Sequence, residues 1–414
     1  ALPYAKVVSM WRSTGEDWFR STLYKNPVNS PPAWINFFRS DKQPETIVLN
    51  SRDITQSEPK SIAEGIWQVE IPFTFEYNYD AYPQDLLIYL DGVYKEKPPY
   101  VTFFWTKPDG TRLDLGSLAP KAHETYYLTK DERLGRKLGT KNITQELFID
   151  PTSVQFLPLK GRYELVLSVL LFEPDARMEA EALLYGQVHG LTGTDNRRRD
   201  LNIAMLWGAP VALAFGLLGA LGTSLLAMTI AAIGAWYSGW VDKLIQRLTE
   251  INMILPALPI AILVFFMYSK SIWVVLGVVV LLNIFGSAIK NYRAVFLQAR
   301  EAPYIEAAQA YGVSNWRIIS KYLAPRIFPT LIPQLVIMAP TYVFYEATLA
   351  YLGVSDPYLP TWGKTIYEAL TNRGLQEHPY WVLEPLGMLL LTGLAFALLG
   401  FALDRVLNPR LREE

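Results

Sequence analysis

The stretch LNIAMLWGAPVALAFGLLGALGTSLLAMTIAAIGAWYSGWV, residues 201–241, contains no charged side chain. A bilayer core needs about 20 apolar residues per helix, so this run is long enough to cross one. Four more uncharged runs follow, 251–269, 271–289, 327–345 and 385–403, each of 19 residues. A soluble core seldom buries one such run. Five in succession predict a polytopic α-helical membrane domain over 191–414, with spans at about 205–236, 251–269, 271–289, 327–348 and 385–404.

The first span places small residues at every fourth position: Gly208, Ala212, Gly216, Ala220 and Ser224. One face is therefore a groove that another helix can approach closely. Pro256 and Pro259 predict kinked or irregular first turns for the second span. The fourth span carries Pro329, Pro333 and Pro340 and ends YVFYEATLAYLG, with Glu346 near its end. That carboxylate is either an interfacial residue or a pathway or gate residue.

Residues 1–195 differ in kind. They are rich in charge, tyrosine and proline, and no apolar run reaches membrane length. IWQVEIPFTFEYNY (66–79), YVTFFWT (100–106) and RYELVLSVLLFEP (162–174) read as strands, with turn residues such as KPDGT (107–111) between them. This spacing predicts a β-rich, sandwich-like domain over 31–190. The opening MWRSTGEDWFRSTLYKN (10–26) is helical in pattern, giving a helical segment within 1–30.

Charge sets the expected topology. Loop 290–326 carries Lys290, Arg293, Arg300, Arg317, Lys321 and Arg326 against Glu301 and Glu306; loop 351–383 carries Lys364 and Arg373 against Asp356, Glu368 and Glu377. The positive-inside rule places 290–326 in the cytoplasm and 351–383 outside. The tail with Arg405, Arg410 and Arg412 returns to the cytoplasm, and residues 1–195 fall outside. Arg197, Arg198 and Arg199 oppose this, being three cations just before the first span. An external N-terminal domain must be exported, and ALPYAKVVSMW has no long apolar core. A first transmembrane helix or a cleaved signal is therefore expected to precede Ala1.

Other chemistry is sparse. A net charge of −1 gives no global attraction to nucleic acid, and the lack of cysteine excludes disulfides and thiolate sites. WGKT (362–365) invites a phosphate-loop reading, but that pattern needs glycine at position 358, which is Tyr358. His123, His189 and His378 are scattered without metal-ligand spacing. Asn142-Ile143-Thr144 fits a glycosylation sequon. No catalytic site, metal or cofactor of the chain's own is expected, so energy for any work would come from elsewhere.

EAAQAYGVSNWRIISKYLAP (306–325) is the most informative loop. Pro303 suits a first helical turn, Ala307, Ala308 and Ala310 give a slim body, and Gly312 can take a left-handed helix end. Ser314 can cap a second helix over 315–323, which Pro325 would stop. Two short helices result, joined by a tight turn. The spacing also suits a DNA-binding helix-turn-helix, but the second helix offers only Arg317 and Lys321 and runs straight into a span. A slim helix held between two spans suits insertion into a groove of another protein; an amphipathic loop lying on the membrane is the remaining alternative.

Residues 304–329 resemble the EAA loop of permease subunits of binding-protein-dependent ABC importers. Glu306, Ala307, Ala308 and Gly312 match its EAA-xxx-G positions; Tyr322 and Ala324 depart from its isoleucine and leucine, and Pro325 is kept. GTDNRRRD (193–200) resembles the GTD-x-x-GRD stretch of the dipeptide, oligopeptide and nickel branch, with Arg198 in place of glycine. YSGWVDKLIQRLTEI (237–251), YEATLAYLGV (345–354), PTWGKTIYEA (360–369) and LNPRL (407–411) are similar to further segments of that branch, closest to its C-type partner.

The resemblance implies an ABC importer type I permease fold with six spans, in the prokaryotic plasma (inner) membrane. It implies a second homologous permease subunit, two ABC ATPase subunits carrying ATP and Mg, and an extracytoplasmic solute-binding protein, besides membrane lipid and no nucleic acid. Coupling to the ATPases would fall on Tyr304, Glu306, Ala307, Ala308, Gly312 and Pro325. Peptide is the first choice of solute, with nickel complexes and oligosaccharides as alternatives. A membrane-anchored receptor or scaffold with an external ligand-binding β domain is the alternative from another class.

Overall fold

The computed structural model describes residue 11, residues 22–54 and residues 57–407. The chain forms two compact units, Ser13–Asn202 and Ile203–Glu414, the latter taking in Trp11. Most of the helical opening lies outside the described residues, where Trp11 is helical and Thr22–Lys25 is a single 3-10 turn. Arg410 and Arg412 of the basic tail also lie outside them.

The first unit is a two-sheet antiparallel sandwich. One sheet is ordered β1 (Ile47–Asn50), β9 (Arg177–Tyr185), β4 (Asp85–Val93), β7 (His123–Tyr127). The other is ordered β2 (Lys60–Ala63), β3 (Ile66–Tyr77), β8 (Gly161–Leu171), β5 (Tyr100–Thr106), β6 (Arg112–Leu118). Period-2 alternation turns Ile71, Phe73 and Tyr77 of β3, Val101, Phe103 and Trp105 of β5, and Leu165, Leu167 and Val169 of β8 into one core. The Trp105 indole N–H donates to the Leu147 carbonyl at 3.0 Å, so the largest core side chain leaves no polar atom unpaired. Two short helices, α1 (Glu132–Leu138) and α2 (Ile143–Phe148), join β7 to β8. The sequon residue Asn142 caps α2, its side chain accepting from the Gln145 N–H at 3.1 Å.

The arginine cluster that opposed the charge-based topology is committed to this unit's own fold. Arg199 is buried and pairs with the fully buried Asp195 at 2.5 Å. The same carboxylate accepts the N–H groups of Arg197 and Arg199, each at 2.8 Å. Arg198 lies 4.0 Å over the Tyr185 ring and donates to the Asn26 carbonyl at 2.7 Å. Its φ of +62° is a left-handed conformation, which accounts for the glycine that the resembling GTD-x-x-GRD pattern keeps there.

The second unit is helical: α3 (Leu201–Tyr237), α4 (Gly239–Asn252), α5 (Ala257–Met267), α6 (Ile272–Ile284), α7 (Ser287–Arg300), α8 (Pro303–Ala310), α9 (Asn315–Ile318), α10 (Ala324–Tyr351), α11 (Trp362–Thr371), α12 (Gly374–Glu377) and α13 (Tyr380–Leu407). Leu201–Tyr237 and Tyr380–Leu403 are each long and apolar enough to cross a bilayer. The expected span 327–348 lies within α10, whose 28 residues reach about 42 Å at helical rise.

The second and third expected spans, 251–269 and 271–289, do not form as single straight helices. The first is divided between α4 and α5, which meet at 77°; the second between α6 and α7, which meet at 48°. Pro256 removes an N–H at the first break and Gly286 caps α7 at the second. An 11-residue α5 reaches only about 16 Å, and each bent pair is long and apolar enough to cross a bilayer only when its two helices are taken together.

The small-residue face of α3 is in close contact with α10 and the start of α11. A Cβ at Gly216 would lie 2.5 Å from a Val343 methyl and 2.8 Å from the Ala339 carbonyl oxygen; one at Gly208 would lie 2.8 Å from the Trp362 ring. Ala212, Ala220 and Ser224 are fully buried. Thr223 and Tyr342 share a hydroxyl hydrogen bond at 2.5 Å, and the Ser224 hydroxyl donates to the Met338 sulfur at 3.4 Å.

Two stability outcomes follow from these contacts. Gly216→Ala is expected to lower stability by roughly 1–3 kcal/mol through overpacking, whereas Gly277→Ala, with open space around its Cβ, is neutral or stabilising; thermal melting in detergent compares them. Arg199→Ala strands a buried carboxylate and is expected to cost roughly 3–5 kcal/mol, read from the same melts.

Candidate functional site

The loop between α7 and α10 is built from two short helices. Pro303 stands in the first turn of α8, where its missing N–H is not needed. Gly312 ends the segment at φ +73°, with nothing within 4 Å of its Cβ position. Glycine is therefore required there by conformation and not by crowding. Ser314 occupies the N-cap of α9 without a side-chain cap hydrogen bond. Pro325 does not stop the second helix. Residues Ile319–Leu323 form a π turn that leads directly into α10, and Pro325 sits in the first turn of α10. The wider turn absorbs the N–H that Pro325 lacks.

The expected coupling residues divide between two faces. Glu306, Ala307, Gly312 and Pro325 are exposed, Tyr304 is half-buried, and Ala308 is buried. Ala308 packs with Ile305, Ile318, Ile319 and Leu323, so it holds the two helices together and presents nothing outward. Sequence reasoning missed two outward aromatics that flank the turn, Tyr311, 89% exposed, and Trp316, 65% exposed. Their signal was available: large aromatics beside a left-handed glycine, off the buried periodicity.

Two arginines fix the base of this element. Arg293 makes a bidentate pair with Asp242 at 2.6 and 2.5 Å. Arg300 donates to the Ala235 carbonyl at 2.9 Å and to the Ser238 hydroxyl at 2.5 Å. A cation thus meets the carbonyl end of α3, where the helix dipole is negative.

At the other end of α10, Glu346 is fully buried. It is therefore not a solvent-facing interfacial carboxylate. The Thr361 hydroxyl lies against it, yet neither carboxyl oxygen completes a hydrogen bond in this conformation. Thr361 caps α11 by accepting the Lys364 N–H. The Lys364 amine, in the WGKT segment, donates to the carbonyls of Asp356 and Pro357 at 3.1 and 2.7 Å. Gly363 allows α11 to touch α10, since its Cβ would lie 2.6 Å from Ala347 Cα. These residues are a packing junction with one unsatisfied acid at its centre.

A family model described as the inner membrane component of binding-protein-dependent transport systems matches residues 203–413. The chain belongs to that family. The family comprises permease components of ABC importers, so this permease is a transport subunit and not itself an ATPase. The dipeptide transport system permease protein DppC of Alkalihalophilus pseudofirmus is 29% identical over 223 residues, 53% of this chain and 72% of that one. The peptidoglycan transport system permease protein YejE of Agrobacterium fabrum is 32% identical over 181 residues, 44% of this chain and 47% of that one. An inward-facing MetNI methionine ABC transporter structure matches at 16% identity and a TM-score of 0.36, covering 49% of this chain and 98% of that one. The family match leaves the whole sandwich of this permease outside it.

Replacing the orphaned acid by its neutral isostere, Glu346→Gln, is expected to raise stability by about 1 kcal/mol, seen as a higher melting temperature in detergent.

Proposed function

We propose that this permease forms half of the translocation pathway of an ATP-driven importer for peptides or similar small solutes. The element Pro303–Leu323 couples it to cytoplasmic ATPases. The observation that carries this reading is the join of that element to α10 without a break, from an exposed face at Glu306, Ala307, Tyr311 and Gly312 through the π turn. A partner that grips the exposed face would move α10 with it. Family membership and the transport names of the relatives support the solute class.

The partners in this reading are a second homologous permease, two ATPases that bind ATP and Mg, and an extracytoplasmic solute-binding protein. The sandwich is extracytoplasmic and α3, the two bent pairs, α10 and α13 are the visible spans. Glu346 lies at the extracytoplasmic end of α10 and acts there on the pathway or its gate. The receptor or scaffold alternative has no use for an exposed two-helix element rigidly continuous with a span.

The test is ATP-driven uptake in vesicles with the whole complex. Gly312→Val, which strains a left-handed turn, is expected to lower uptake about 10-fold, while Gly312→Asn retains most of it. Glu306→Ala, at an exposed site, should lower uptake similarly without changing the melting temperature. Normal uptake in both Gly312→Val and Glu306→Ala would reject this element as the coupling site.

A further inference from the structure

The sandwich has two ends, and they differ in what they expose. Tyr77 pairs with Gly161 and Asp85 with Tyr185, so the loops 78–84, 149–160 and 186–200 gather at one end. Segment 36–44 is tied to the same end: the Lys42 carbonyl accepts from Asp80 N–H at 2.9 Å, and the Pro44 carbonyl from Gln187 N–H at 2.7 Å. The Gln187 amide donates to the Tyr82 carbonyl at 2.7 Å, and the Tyr82 hydroxyl to the Phe156 carbonyl.

This end carries a collar of bare apolar side chains. Phe37, Phe38 and Val154 are 85, 83 and 93% exposed, joined by Phe156, Leu191 and Trp34. Trp34 is edge-on to Phe38 and donates its indole N–H to the Leu191 carbonyl at 2.9 Å. The opposite end exposes Ile62, Val93 and Tyr100 on three separate strands. So much exposed aromatic surface in one place requires a partner.

The chain's own path names it. This is the end from which β9 leaves for α3. The Leu201 N–H, first in α3, donates to the Gly193 carbonyl at 3.1 Å, and Leu191 is two residues from Gly193, at most about 7 Å of chain. The headgroup layer is about 5–8 Å deep on each side of the hydrocarbon. No charged residue separates Asp200 from Asp242, so α3 has no charge to hold its first turns in water. Indole and phenyl rings favour that layer. Arg39, Lys42 and Lys160 interleave with Asp41, Asp80 and Asp150 around the collar, a mixed rim that suits zwitterionic headgroups.

The geometry points to the collar Trp34, Phe37, Phe38, Val154, Phe156 and Leu191 as a membrane-docking surface that seats the sandwich in the headgroup layer of a lipid bilayer. The inference rests on the reading of α3 as a span, and one experiment separates the two. The chain has no cysteine, so Phe37→Cys, Val154→Cys, Ile62→Cys and Leu218→Cys each give a single nitroxide site. The full complex is placed in phosphatidylcholine vesicles, and the label's access to oxygen and to a water-soluble nickel chelate is measured by power saturation.

Labels at 37 and 154 are expected to favour oxygen over nickel severalfold relative to the label at 62, approaching the label at 218. Access to nickel equal to that at 62 overturns the proposal. Exclusion of both reagents also overturns it, because a protein surface and not lipid then covers the collar. A water-like signal at 218 fails the span reading itself, and the proposal with it. A lipid-like signal at 218 with water-like signals at 37 and 154 fails the proposal alone.

Discussion

The helical unit depends on how closely α3 can lie against α10. Lipid chains are as apolar as the helices they surround, so burial of apolar surface gives little drive for two spans to associate. What remains is dispersion at short range and hydrogen bonds between side chains. Gly216 and Gly219 supply the first by leaving room for Val343 and the Tyr342 ring, and Thr223 supplies the second through the Tyr342 hydroxyl. Because α10 carries the two-helix loop at one end and Glu346 at the other, its seating on α3 sets the position of both.

Much of this was legible in the residues. The charge gaps located the helical unit because a charge in hydrocarbon is costly, and alternation located β3, β5 and β8 because one face of each is buried. Gly312 and Pro303 were legible because each backbone role admits few residue types. The bends at Pro256 and Gly286 were less so. A proline announces a break without its angle, and glycine in an apolar run has several uses. The inward turn of Ala308 was hidden by its size, since alanine fits a core and a surface equally. The partners of the arginine cluster were not legible, because a count of charges cannot distinguish a solvated guanidinium from one paired with Asp195 or stacked on Tyr185.

The exposed and buried faces of α8 divide the work of the loop. Ile305 and Ala308 hold it against α9 and the start of α10, while Glu306, Ala307 and the neighbouring Tyr311 are left exposed. Arg293 and Arg300 anchor the helix that leads in. A short helix braced on both sides cannot swing independently, so force on its outer face is delivered to the helices it joins.

The π turn at Ile319–Leu323 gives that delivery a particular character. Such a turn holds one residue more than an α-helical turn. If it rewinds to ordinary helix, the surplus residue passes into the axis, and everything beyond turns by about 100° and advances by about 1.5 Å. A lever hinged in this way would then work as a screw. Val343, Glu346 and Ala347 would sweep past α3 and α11 by rotation, changing which side chains face one another while the axis of α10 scarcely tilts.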